Sequence, residues 1–145
     1  MGPGATARDN RSGTGGVNHV RLLLDSTFVI DHLRGAPEAT ERFRRIFEEG
    51  DDPIVTEIVV CEVRAGLLAD AERHLDAFLE PIEFVQPGAE TAMTAGRWRA
   101  DLRRRGRTLS LGDSLIAATA DTLGARVVTR NVRDFALTPV VVETY

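Results

Sequence analysis

Short apolar runs that stop at hydroxyl or acidic residues, each followed by a stretch of helical period, constrain this chain more than any other feature. Val20-Arg-Leu-Leu-Leu24 ends at Asp25-Ser-Thr27, the pattern of a buried strand running into a helix cap. Phe28, Val29, Ile30 and Leu33 mark the apolar face of a short helix stopped by Gly35. Pro37 opens a second helix reaching about Glu49, with Phe43, Ile46 and Phe47 expected inward. After a turn at Gly50-Asp-Asp-Pro53, Ile54-Val55 predicts a strand, and Thr56 caps a helix expected to run to about Asp70. A helix follows from Ala71 to Leu79, then a strand over Ile82–Val85, and a long helix from Pro87 to about Arg105, closed by Gly106. Ser110 begins another helix that ends at Gly124; Arg126–Thr129 is a strand, Asn131–Phe135 a loop or single turn, and Val140–Val142 a last strand. Strands alternating with helices predict an α/β domain whose mainly parallel sheet is covered on both faces. In such sheets ligands bind beyond the carboxyl ends of the strands.

At 145 residues and 43% apolar content, one domain with one core is expected. Residues 1–19 are rich in glycine and polar groups, cannot bury surface, and read as a disordered tail ahead of a domain spanning 20–145. They carry no apolar signal region, and no run approaches the length of a membrane span. With one cysteine, Cys61, no internal disulfide can form, and the cytoplasm is the expected compartment. All 18 basic residues are arginine. The absence of lysine excludes P-loop and Schiff-base chemistry. A net charge of −4 argues against nucleic acid as a partner, but the arginines are clustered: 42, 44 and 45 form one group, and 97, 99, 103, 104, 105 and 107 another.

Four acidic regions stand out. Asp25 lies at the carboxyl end of an apolar strand, where it could alternatively cap the next helix. Glu62 has Ile58, Val59, Ala65 and Gly66 as its helical neighbours, so a carboxylate is centred on an apolar face. That is costly without a cation or a buried arginine to compensate it. Asp113 follows Ser110 by three residues, as in a capping box, yet shares its face with Ile116, Ala117 and Ala120. Thr129-Arg-Asn-Val-Arg-Asp134-Phe135 follows another strand and offers Asn131 and Asp134. Carboxylates converging on one sheet edge repel one another unless a cation intervenes, and hard oxygen ligands suit Mg²⁺ or Mn²⁺. The chemistry natural to such a site is phosphodiester hydrolysis. His19, His32 and His74 occupy no recognisable site, the latter two reading as surface residues. Cys61 reads as a small core residue, so covalent catalysis is not expected. A phosphatase using Asp25 as nucleophile would need a second Asp where Thr27 stands, and a lysine.

These four segments, in this order and spacing from Arg21 onward, resemble the PIN domain, specifically the short toxins of the VapC type. The resemblance implies a three-layer α/β/α sandwich and a metal-dependent endoribonuclease acting on RNA such as tRNA or rRNA. Asp25, Glu62 and Asp113 would be the metal-binding carboxylates, with Asp134 a further catalytic acid and Thr27, Thr129 and Asn131 supporting the site. Asn131 occupies a place that is often Asp, which leaves the fourth acidic position open between Asn131 and Asp134. It also keeps alive a catalytically degenerate module that binds RNA or protein. Arg130, Arg103 and Arg104 are candidate RNA contacts. A homodimer, a cognate antitoxin covering the pocket, and Mg²⁺ or Mn²⁺ as cofactor complete what the resemblance implies.

Overall fold

The computed structural model describes residues 19–145, so nearly all of the expected N-terminal tail lies outside the described residues. Five parallel strands form one sheet: β1 (Arg21–Leu24), β2 (Asp52–Thr56), β3 (Glu83–Val85), β4 (Arg126–Val128) and β5 (Val142–Glu143), in the order β3-β2-β1-β4-β5. Seven helices connect and flank them: α1 (Ser26–Leu33), α2 (Pro37–Glu48), α3 (Glu57–Ala65), α4 (Glu72–Leu79), α5 (Ala89–Arg104), α6 (Leu111–Leu123) and α7 (Val132–Phe135). This is the expected three-layer arrangement. Leu22, Leu23, Leu24, Val127 and Val128 are all fully buried, as central strands covered on both faces must be. The alanines 117, 118 and 120 of α6 are also fully buried, and their small side chains let that helix pack closely.

Two features fix the direction of the helices nearest the site. Ser110 accepts the Asp113 N–H at 3.1 Å, starting α6, and Gly124 ends it in the left-handed conformation with φ 65°. Helices α5 and α6 form an antiparallel hairpin across residues 105–110, their far ends joined by a Thr91–Thr122 hydroxyl contact of 3.3 Å. The arginine-rich end of α5 therefore lies at the Asp113 end of α6.

Several sequence expectations are corrected. Helix α3 stops at Ala65 rather than near Asp70, because Gly66 breaks it and a separate 3₁₀ turn forms at Ala69–Ala71. Strand β2 begins at Asp52, inside the expected turn, since Arg21 pairs with Asp52 in the ladder. Strand β5 is Val142–Glu143 rather than Val140–Val142, in register with Val127 and Val128. Phe47 is 45% exposed, whereas Arg42 on the same helix is buried, the face having turned toward Glu143. His32 is not a surface residue: it packs against the rings of Phe43 and Phe78, at 4.5 and 5.3 Å, and burial holds its pKa below the ordinary histidine value. Cys61 is exposed, not a core residue.

Candidate active site

The first carboxylate is built by the end of β1. Asp25 is 1% exposed and stands at the N-cap of α1 with extended backbone, but its side chain caps nothing. The helix-cap alternative is thereby removed. Two threonine hydroxyls hold it instead. Thr129 donates to Asp25 Oδ2 at 2.7 Å, and Thr27 donates to the same oxygen at 3.0 Å. Each hydroxyl also accepts a backbone N–H from the loop after β4: Arg130 N–H to Thr27 at 3.0 Å, Asn131 N–H to Thr129 at 2.8 Å. The oxygens lie 3.2 Å apart. Thr27 and Thr129 thus clamp the ends of β1 and β4 together, with their protons directed at Asp25.

Asn131 extends the chain of bonds. Its side-chain NH₂ donates to Asp113 Oδ2 at 3.1 Å and to Asp134 Oδ2 at 3.0 Å. Only the nitrogen end of the amide can serve two carboxylates, since its oxygen would repel both. Asn131 therefore acts as a tether between Asp113 and Asp134. Asp113 begins α6, and its pKa is pushed up to about 6 by burial first, then by the charges of Asp25, Glu62 and Asp134, with a Ser110 hydrogen bond opposing the rise. Glu62 reaches the same place from α3; burial and then the charge of Asp25 hold its pKa above the ordinary range, against a hydrogen bond from Ser26.

Asp25 Oδ1 and Glu62 Oε1 are buried and have no hydrogen-bond partner. An unpartnered buried carboxylate oxygen is costly, and two beside a carboxyl of raised pKa describe a cluster short of positive charge. Hard oxygen donors of this kind fit a small divalent cation. Among the described residues no three such side chains are already gathered to ligand spacing, so the carboxylates would have to draw inward around an ion.

The comparison with known proteins bears on this geometry. The family model described as PIN domain matches residues 22–140. The chain belongs to the PIN domain family. Ribonuclease VapC19 of Mycobacterium tuberculosis is 32% identical over 117 residues, covering 81% of this chain and 94% of that protein. Ribonuclease VapC10 of the same species is 34% identical over 117 residues, covering 80% and 86%. Among solved structures, VapBC2 of Rickettsia felis bound to a promoter DNA fragment matches with a TM-score of 0.77 at 21% identity, over 87% of this chain and 99% of that one. DNA-bound VapBC of Salmonella typhimurium matches with a TM-score of 0.73 at 26% identity, over 86% and 98%.

Within this PIN domain the expected site residues fall into two sets. Asp25, Thr27, Thr129, Asn131, Asp113 and Asp134 are joined by one hydrogen-bonded chain, with Glu62 beside it through its charge. The side chains of the arginines take other partners, although the Arg130 N–H bonds Thr27. Arg130 reaches both oxygens of Asp31 at 2.7 Å, and Tyr145 donates to Asp31 at 2.6 Å. Arg104 pairs with Asp101, and Arg103 sits exposed in the last turn of α5. Ser26, Asp31 and Tyr145 did not emerge from the sequence. Ser26 follows Asp25 directly and could have been suspected, whereas the Asp31 contacts span 99 and 114 positions and leave no local signal.

Proposed function

We propose that this PIN domain is the toxin of a toxin–antitoxin pair and an endoribonuclease, with Asp25, Glu62 and Asp113 holding Mg²⁺ or Mn²⁺. The observation that carries this reading is the pair of buried, unpartnered carboxylate oxygens on Asp25 and Glu62. The relatives named ribonuclease, matched over most of their length, point to RNA as substrate. An ion held there by Asp25, Glu62 and Asp113 would supply Lewis acidity for activating a water and for steadying charge on the phosphate. The chain's own residues set the stage. Thr27 and Thr129 hold Asp25 in place through two donated hydrogen bonds, and Asn131 holds Asp113 beside Asp134, which serves as the fourth acidic group. Arg103 and Arg104, at the Asp113 end of the α5–α6 hairpin, track the RNA backbone; Arg130 joins them on release from Asp31.

Complexes named VapBC among the structural neighbours support a cognate antitoxin as partner. A homodimer, residues 20–145 as the working domain, and a cytoplasmic location belong to the same proposal; no helix among the described residues is long and apolar enough to cross a membrane.

The test is incubation of purified protein with total cellular RNA, with Mg²⁺, Mn²⁺ or EDTA, beside Asp113→Ala prepared identically. Discrete fragments that require metal and vanish in the variant are expected; cleavage that persists in a clean preparation of the variant sinks the assignment. The amide at Asn131 favours a second reading, a degenerate module that binds RNA or protein without cutting. Absence of both cleavage and any metal-induced stabilisation would select it.

A further inference from the structure

Helix α6 carries a glycine one position before Asp113, and its surroundings are unlike those of any other glycine within a described helix. A Cβ placed on Gly112 would lie 2.4 Å from Glu62 Oε2, 3.3 Å from Glu62 Cδ and 3.5 Å from Ile58 Cγ2. Gly96, inside α5, would meet nothing within 4 Å. The backbone at Gly112 is ordinary helix, with none of the positive φ that demands glycine. Alanine is the better helix former, so neither the conformation nor the helix asks for glycine here. What asks for it is the carboxylate lying against its Cα.

We propose that Gly112 is a positioning residue for Glu62: the absent side chain on the first turn of α6 is the space that the Glu62 carboxylate occupies. This rests on Glu62 being a ligand of the proposed metal site. Glu62 arrives from α3, its Oε1 buried and unpartnered, with Ser26 on one side and Gly112 on the other. A methyl group at 112 collides with the far end of a flexible side chain rather than with backbone. The helix survives such a collision and the carboxylate gives way. Displaced from α6, Glu62 leaves the neighbourhood of Asp113, the next residue along that helix. Gly112 touches neither ion nor substrate in this scheme and acts only through Glu62.

Four proteins test the proposal: wild type, Gly112→Ala, Glu62→Ala and the double variant. Two quantities are read, Mn²⁺ affinity by calorimetry and the melting temperature without metal. Gly112→Ala is expected to weaken Mn²⁺ binding about 10- to 100-fold, the range for residues that orient ligands from behind. In the Glu62→Ala background the same substitution should weaken it no further. Without metal, alanine at 112 should raise the melting temperature more in the Glu62→Ala background than in the wild type, because only there is the space free. Unchanged affinity in Gly112→Ala, or an equal loss in both backgrounds, overturns the proposal; so does a Gly112→Ala protein that fails to fold with and without Glu62. Should the wild type bind no Mn²⁺, the metal assignment fails, and the metal-free melting cycle decides on its own. Equal effects of alanine in both backgrounds would then overturn the role of Gly112, and unequal effects in the expected sense would uphold it.

Discussion

Asp113 keeps its proton to higher pH than an ordinary aspartate, because burial and three neighbouring carboxylates raise its pKa to about 6. A carboxyl whose folded pKa lies above its ordinary value stabilises the fold below that ordinary value, and the stabilisation is lost as pH rises through about 6. The contribution of Asp113 to metal-free stability should therefore be larger at pH 5 than at pH 7, while the lowered pKa of His32 acts in the opposite sense over that window. Asp113→Asn should raise metal-free stability at pH 7 by about 1 kcal/mol, a figure already reduced for solvent screening of a half-buried group. Melting curves between pH 4 and 7 check this; parallel profiles for the two proteins would remove the electrostatic account of the pocket. The threonine clamp gives a prediction of opposite sign. Thr129→Val keeps the shape but leaves Asp25 short of a donor and the Asn131 N–H short of an acceptor, at a cost of about 1–3 kcal/mol in urea unfolding. No destabilisation there would mean that the hydroxyl relay contributes nothing to the fold.

Helix α2 is fastened to strand β5 by a single partly buried pair. Arg42 donates to Glu143 Oε1 at 2.9 Å, with side chains 10% and 23% exposed, and Arg126 reaches the other oxygen at 2.8 Å. Burial pushes the Glu143 pKa up, but the hydrogen bonds and charges of Arg126 and Arg42 outweigh it, leaving the value below the ordinary range. The stability this group contributes is present above that ordinary value and lost as pH falls through the lowered one. Glu143→Ala strands the Arg42 charge in a buried place and should cost about 2–4 kcal/mol. Arg21→Ala, which breaks an exposed pair with Glu83, should cost less than about 1 kcal/mol. Similar costs for the two, measured by denaturant titration, would contradict the burial argument. The pair also shows where sequence stops being informative. Arg42 read only as one of a group of arginines with 44 and 45, because the residue that draws it inward lies 101 positions away. Most strand and helix positions were legible, since Pro37, Thr56, Ser110 and Gly124 punctuate locally. Strand β5 was misplaced because its register depends on a partner strand rather than on its own run of valines.

The whole molecule arranges its strands so that β1 and β4 adjoin at the middle of the sheet, and Asp25 and Thr129 of the candidate site directly follow their carboxyl ends. That location was readable in advance from the alternation of strands and helices and the general rule for parallel sheets. The bridging amide of Asn131, the pairing of Arg130 with Asp31, and the half-buried His32 were not, because each depends on how separate elements meet. Metal binding should register at this scale. A ligand that binds only the folded state adds about 2.7 kcal/mol at a hundred times its Kd, which for a chain of this size is several degrees of melting temperature. Mg²⁺ should produce such a shift, EDTA should reverse it, and Asp113→Ala should abolish it; a wild-type curve indifferent to Mg²⁺ and Mn²⁺ would argue against an ion-binding pocket.

The bond from Thr129 to Asp25 joins positions 104 apart, and Asp134 lies further still along the chain. Nothing local can assemble this centre. A nascent polypeptide ending before Arg126 holds Asp25, Glu62 and Asp113 but has neither strand β4 nor Thr129 to lock them, so most of the chain can be made before the candidate site can form. Folding, the closing of contacts distant in sequence, is the event that assembles the site.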